Sequence, residues 1–159
     1  MDPLQILSGR GTELYGGRFA PAGTKGVYLA DSDAGASAEV LARKKRLGGT
    51  SQISLDKYPR VVFAVYVELE HVVSLTRKPR NLALAGIRNA SLAEDLSYSQ
   101  AVGRFLADSG IQGLLFKRVA GAGSNLLVFL ENCAPGQLRI RELDETMDTL
   151  KQIVAKRKR

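Results

Sequence analysis

The first stretch of this chain has no hydrophobic period. From Leu7 to Gly26, glycines at 9, 11, 16, 17, 23 and 26 are interleaved with Arg10, Arg18 and Lys25, a pattern that predicts loop and not helix. Order begins at Gly26-Val27-Tyr28-Leu29-Ala30, which reads as a short strand. Asp31 or Ser32 then caps a helix that should run to Leu47, where Gly48 and Gly49 stop it. After a loop to Pro59, Arg60 to Leu69 is rich in Val, Phe and Tyr and predicts a central, largely buried strand, with Val72 to Thr76 extending it or pairing with it. Asn81 to Leu96 holds two short helical stretches, and Ser99 to Asp108 forms a better helix closed by Gly110. Strands follow at Gly113 to Lys117 and Asn125 to Glu131, joined by a turn containing Gly121 and Gly123. In Gln137 to Leu143, Leu138 and Ile140 alternate with outward Arg139 and Arg141, as in a half-exposed strand. A last helix from Glu145 to Lys156 sets Met147, Leu150 and Ile153 at the spacing of a core-facing stripe.

These elements alternate without the regular strand-helix-strand rhythm of a doubly wound parallel sheet, so the expected class is α+β. With 159 residues, 45% of them hydrophobic, the chain suits one core and one domain, 1–159, with a basic tail at 156–159. No internal repeat is present.

Composition removes several function classes. Cys133 is the single cysteine and no Cys/His cluster has metal-ligand spacing, so no metal is expected. The start lacks the basic and apolar blocks of a secretory signal. The most apolar run, Val61 to Val73, is broken by Glu68, Glu70 and His71 and is shorter than the ~20 residues of a membrane span. A cytoplasmic protein without a membrane anchor is expected. The net charge of +7 is concentrated in Arg43-Lys44-Lys45-Arg46 at a helix end and in Lys156 to Arg159. Cations at a helix carboxyl end complement its dipole and a charged tail is solvated, so both runs read as surface charge.

Candidate chemistry lies in Gly16-Gly17-Arg18-Phe19-Ala20-Pro21, followed by Tyr28 and Glu39. Two glycines allow a close backbone approach, Pro21 stiffens the other flank, and the planar fork of Arg18 matches a diphosphate. Taken alone, the loop is better explained as an ordinary turn with an exposed arginine, because glycine-rich loops are frequent. Glu39 shares a helix face with Ala36, Ala42 and Arg43, and the small alanines let this face approach the sheet, where a carboxylate must be paired or used. Arg18 or Arg43 could neutralise it structurally. The functional alternative is that it stabilises a cation-like sugar during glycosidic cleavage, with Tyr28 supporting the ligand from the strand below.

The run Leu7-Ser8-Gly9-Arg10-Gly11, then Gly16-Gly17-Arg18-Phe19, Gly23, Val27-Tyr28-Leu29 and Ala38-Glu39-Val40 resembles the RES-domain family, named for its Arg, Glu and Ser. The likeness continues through Val72 to Thr76 and from Gly110 to Phe129. The resemblance implies a fold related to the ADP-ribosyltransferases, with mixed, mostly antiparallel sheets and flanking helices. It also implies an enzyme that acts on NAD as the toxic half of a toxin-antitoxin pair, releasing nicotinamide with water or phosphate or transferring ADP-ribose to a protein. Its catalytic set would be Glu39, Arg18 and a serine, with Arg18, Tyr28, Gly17 and Phe19 binding the dinucleotide. An antitoxin would cover the pocket mouth and supply the only link to nucleic acid, around a toxin that is a monomer or a dimer.

Three departures stand out. The family's Trp-Asn after the arginine is Phe19-Ala20 here, and an upstream Arg-Tyr pair is missing. The family's Pro-Ser after the strand ending in Leu115-Phe116 is Lys117-Arg118, which leaves Ser124 as the nearest substitute. Three readings therefore compete: an NAD glycohydrolase or phosphorylase; a transferase, for which Glu68 and Glu70 offer a Glu-x-Glu spacing; and an inactive basic binding module. His71 and Cys133 lack the partners a catalytic role requires.

Overall fold

A computed structural model of the chain describes residues 5–46, 61–76, 95–118 and 122–142, together with 144, 145, 148, 149 and 152. Within them run α1 (Arg10–Tyr15), β1 (Gly26–Ala30), α2 (Asp33–Arg46), β2 (Val65–Val67), β3 (Val72–Ser74), α3 (Ser97–Asp108), β4 (Gly113–Lys117), β5 (Ser124–Phe129), a 3-10 turn at Leu130–Asn132, and β6 (Leu138–Ile140).

β4 and β5 carry near-continuous apolar runs, the composition of strands covered on both faces. They are the inner strands of a four-stranded sheet ordered β1-β5-β4-β3, while β2 and β6 form a separate pair. Among the described strands only β3 and β4 pair in parallel. Parallel neighbours need a crossover rather than a tight turn, and the connection from β3 to β4 includes α3. The expected α+β class with mostly antiparallel sheets is what the chain forms.

Directly opposed residues share a sheet face. Tyr28 opposes Leu127, which opposes Leu114; Ala30 opposes Asn125, which opposes Phe116. This face holds the core, where Leu114, Phe116, Leu127 and Phe129 meet Leu75 and the loop residues Phe19 and Ala20. The Phe19 and Phe116 rings lie 4.8 Å apart at a tilt, and Tyr28 meets Phe116 edge-on at 6.3 Å. Tilted and edge-on pairs of this kind add about 0.5–1.5 kcal/mol beyond burial.

Two expectations need correction. The glycine-rich start is not all loop, because it contains α1. Gly9 takes a left-handed φ of 68°, and its carbonyl accepts from the amides of Thr12 and Glu13, each at 3.0 Å. Six residues are too few to display a helical period, and the turn is held by buried Thr12. The second correction concerns Arg60 to Leu69, which is neither central nor largely buried. Among its described residues, which begin at 61, only Val65–Val67 is strand, and side chains from 61 to 70 alternate between half-buried and exposed. The outward Tyr66 is covered by the guanidinium of Arg139 opposite it on β6, 4.9 Å from the ring centre, so its apolar surface never enters the core. β3 accordingly pairs with β4 and not with the segment before it.

Buried Gln112 ties the corner before β3 to the end of β5. Its Oε1 accepts from the amides of Glu70 (2.7 Å) and His71 (3.1 Å), while its Nε2 donates to the Asn132 carbonyl (3.2 Å) and Gln137 Oε1 (3.0 Å). Of the helical stretches expected over Asn81 to Leu96, residues 81–94 lie outside the described residues and Asp95 and Leu96 are not helical; the loop 48–59, Gly121, the stripe Met147, Leu150 and Ile153, and the tail 156–159 also lie outside the described residues.

Candidate active site

α2 begins where β1 ends, and Ser32 rather than Asp31 caps it, its Oγ accepting from the amide of Gly35 at 3.2 Å. One turn beyond Gly35 stands Glu39, half-buried on the side of the helix that meets the sheet. Its Oε1 accepts from Nδ2 of Asn125 at 3.0 Å. Glu39 is thus fastened to β5 by a neutral amide, where the sequence suggested Arg18 or Arg43; the Arg43 side chain lies outside the described set.

The Arg18 loop is held at several points. The Gly17 amide donates to the Ala20 carbonyl at 2.7 Å, closing a tight loop around Arg18 and Phe19. From β1, the Tyr28 hydroxyl accepts from the amides of Phe19 (3.0 Å) and Ala20 (3.2 Å). From α3, Nε2 of Gln100 donates to the Gly17 carbonyl at 2.9 Å. Arg18 itself is half-exposed.

The two fastenings share a sheet face. Tyr28 opposes Leu127, and Asn125 stands two residues along β5 from Leu127, so Tyr28 and Asn125 are diagonal neighbours. Such diagonals bring side chains within about 7–8 Å. The structure therefore anchors the arginine loop and the glutamate helix to adjacent positions on one face.

Other expected site residues are placed differently. The Phe19 ring is fully buried against Phe116, so its aromatic surface belongs to the core and its contribution to the loop is backbone. Gly17 admits the Tyr28 ring: a Cβ there would lie 2.7 Å from Tyr28 Oη, so the missing side chain makes room for protein rather than ligand. Ser124 opposes Lys117, and strand alternation turns its side chain to the face opposite Asn125. Its backbone enters the network, its amide donating to Asp31 Oδ2 at 2.7 Å and its carbonyl accepting from the Asp31 amide at 3.2 Å.

Sequence reasoning missed Asp31, Arg118 and Asn125. Arg118 is buried, with Nη2 ion-paired to Asp31 Oδ1, Nη1 donating to the Ala122 carbonyl at 2.7 Å and Nε reaching Asn125 Oδ1 at 3.4 Å. The Ser124 amide, followed by the Arg118 guanidinium, holds the Asp31 carboxyl below its ordinary value. A signal was available in Asn125, a polar residue set among the apolar ones of a strand.

The remaining candidates are structural. Glu68 and Glu70 are exposed just past β2. Cys133 is half-buried, its Sγ donating to the Phe129 carbonyl at 3.4 Å, and burial pushes its thiol pKa up, away from the thiolate. Among the described residues, no group of three or more His, Cys, Asp or Glu could hold a metal, and no helix is long and apolar enough to cross a membrane.

A model of the RES domain matches residues 4–149. The chain belongs to the RES-domain family. Among RES proteins it is 30% identical over 138 residues to the NAD(+) phosphorylase MbcT of Mycobacterium tuberculosis (strain H37Rv), covering 86% of this chain and 73% of that protein. The Mycobacterium bovis protein of the same name matches to the same extent. In three dimensions the chain is similar to a chain of the M. tuberculosis MbcT-MbcA toxin-antitoxin complex, with a TM-score of 0.67 and 27% identity over 89% of this chain and 80% of that one.

Proposed function

We propose that this RES-domain protein is a toxin that consumes NAD by breaking the bond between nicotinamide and ribose, with phosphate or water as acceptor, and that a cognate antitoxin restrains it in the cytoplasm. The observation that carries this reading is the shared anchoring of Arg18 and Glu39, through Tyr28 and Asn125, on one sheet face. The names of its relatives, an NAD(+) phosphorylase and a toxin solved with its antitoxin, support it.

In the proposed mechanism Arg18 binds the diphosphate in a bidentate pair, on a loop whose backbone is already fixed, so little ordering is left for binding. Tyr28 lines the nicotinamide side of the site while its hydroxyl holds the loop. As the C1′–N bond breaks, its electron pair leaves with nicotinamide, whose ring loses the positive charge it carries in NAD. That charge builds on the ribose, where the Glu39 carboxylate stabilises it. An oxygen of phosphate or water forms the new bond to C1′, and attacking water releases its proton to solvent. The products are ADP-ribose phosphorylated at C1′, or ADP-ribose. Ser124 has no part in this scheme, because its side chain lies on the other face.

Incubating the purified chain with NAD, with and without inorganic phosphate, and resolving products by mass spectrometry tests this. Phosphorylated ADP-ribose formed only with phosphate identifies a phosphorylase, and ADP-ribose in both incubations a hydrolase. Intact NAD in both overturns the reading. Labelled protein bands from a lysate supplied with labelled NAD would place the chain with the transferases instead.

A further inference from the structure

Arg118 stands at a position where a guanidinium is costly, since its side chain is only 5% exposed. Space for it is made on both sides. A Cβ on Gly35 of α2 would lie 2.0 Å from Arg118 Nη2, and one on Gly123 would lie 3.0 Å from the same atom. Two helix and turn positions are thus without side chains where the guanidinium lies. Its charge is met by Asp31, and its remaining N–H groups face the Ala122 carbonyl, the Ser124 carbonyl at 3.5 Å, and Asn125 Oδ1.

The last contact decides how Asn125 faces Glu39. The two ends of a side-chain amide are nearly the same shape, and neighbours alone determine which end points where. The Arg118 Nε–H is a donor only, so it selects Oδ1 of Asn125. That leaves Nδ2 for the carboxylate of Glu39, at 3.0 Å. A flipped amide would set its oxygen against the carboxylate and its NH2 against the guanidinium, two repulsive contacts in place of two favourable ones.

We propose that Arg118 is a positioning residue for Glu39: buried between Gly35 and Gly123 and neutralised by Asp31, it fixes the polarity of the Asn125 amide and so the place of the Glu39 carboxylate. This rests on the NAD-cleaving role given to Glu39, but the relay from Arg118 to Asn125 to Glu39 is a property of the fold with its own readout. Lysine is not equivalent at this site. It retains the charge opposite Asp31 but lacks the planar fork that meets Asp31 and Asn125 together.

The test compares wild type with R118K, R118M, N125L and the double variant R118M/N125L. The expected result is that R118K folds with a wild-type circular dichroism spectrum and a KM for NAD within about threefold, while kcat falls by about 100-fold, the loss that a misplacement near 1 Å produces. R118M and N125L should each lose kcat to a similar degree, and combining them should add little, because both break one relay. A wild-type kcat in R118K overturns the proposal, and so do multiplicative losses in the double variant. If R118M fails to fold, R118K decides alone. If the wild type leaves NAD intact, the functional reading falls and nuclear magnetic resonance decides the relay. Faster exchange of the Asn125 side-chain amide protons in R118K, and equally in E39Q, sustains it; wild-type exchange in R118K overturns it.

Discussion

Gly103 of α3 lies so close to the Phe19 carbonyl that a methyl group on it would stand 1.4 Å from that oxygen. The helix and the arginine loop are therefore in backbone contact, and Gln100, one turn earlier on α3, bonds the same loop at Gly17. The loop that presents Arg18 is clamped between α3 and the sheet. The variant G103A cannot be accommodated without separating the two. It should cost about 1–3 kcal/mol, the range for overpacking a tight contact, read from denaturant unfolding. The kcat/KM for NAD should fall by about 100-fold as the loop moves.

Tyr28 supports the same loop from the other side. In Y28F the ring keeps its packing on Phe116, but the amides of Phe19 and Ala20 lose their acceptor. Leaving partly buried donors unpaired costs about 1–3 kcal/mol. The expected outcome is a destabilised protein in which hydrogen exchange quickens at residues 19 and 20 ahead of the β1 amides. Unchanged exchange there would show that the hydroxyl does not hold the loop.

Asp31 gives the fold an acid-sensitive contact. Its carboxyl is held below its ordinary 3.8 by the Ser124 amide first and by Arg118 second. A carboxyl with a depressed folded-state value binds its proton more readily in the unfolded chain, so its contribution is complete above 3.8 and is lost as pH falls through the lower folded value. The stability difference between wild type and D31N should therefore be constant from pH 7 down to about 5 and shrink below 4, as measured by denaturant unfolding across that range. A difference that grows on acidification would contradict this contact.

What the sequence revealed and what it concealed follow from range. β1, the helix from 33, the strand at 113–117 and the strand expected at 125–131, which forms at Ser124–Phe129, were legible because local period and caps determine them. The loop with Arg18, and Glu39 on a helix of small residues, were legible as chemistry out of place. Three things were not. α1 is shorter than a helical period can show. The stretch Arg60 to Leu69 was not legible as an exposed edge because Tyr66 is covered from outside by Arg139 of β6, a contact between residues far apart in the chain. Lys117-Arg118 looked like damage to a motif, whereas Arg118 is built into a buried network by partners at 31 and 125 that no local pattern connects.

Arg18 and Glu39 are expected to act upon one molecule of NAD, and the most direct measurement of this is nicotinamide release by wild type, R18A and E39Q at matched folded concentration. Wild type should release nicotinamide, and E39Q should lose at least about 100-fold in kcat, as expected when one charge-stabilising group is removed. R18A should lose affinity for NAD, while its affinity for nicotinamide riboside, which lacks the diphosphate, stays the same. Nicotinamide release by E39Q at the wild-type rate would contradict the account.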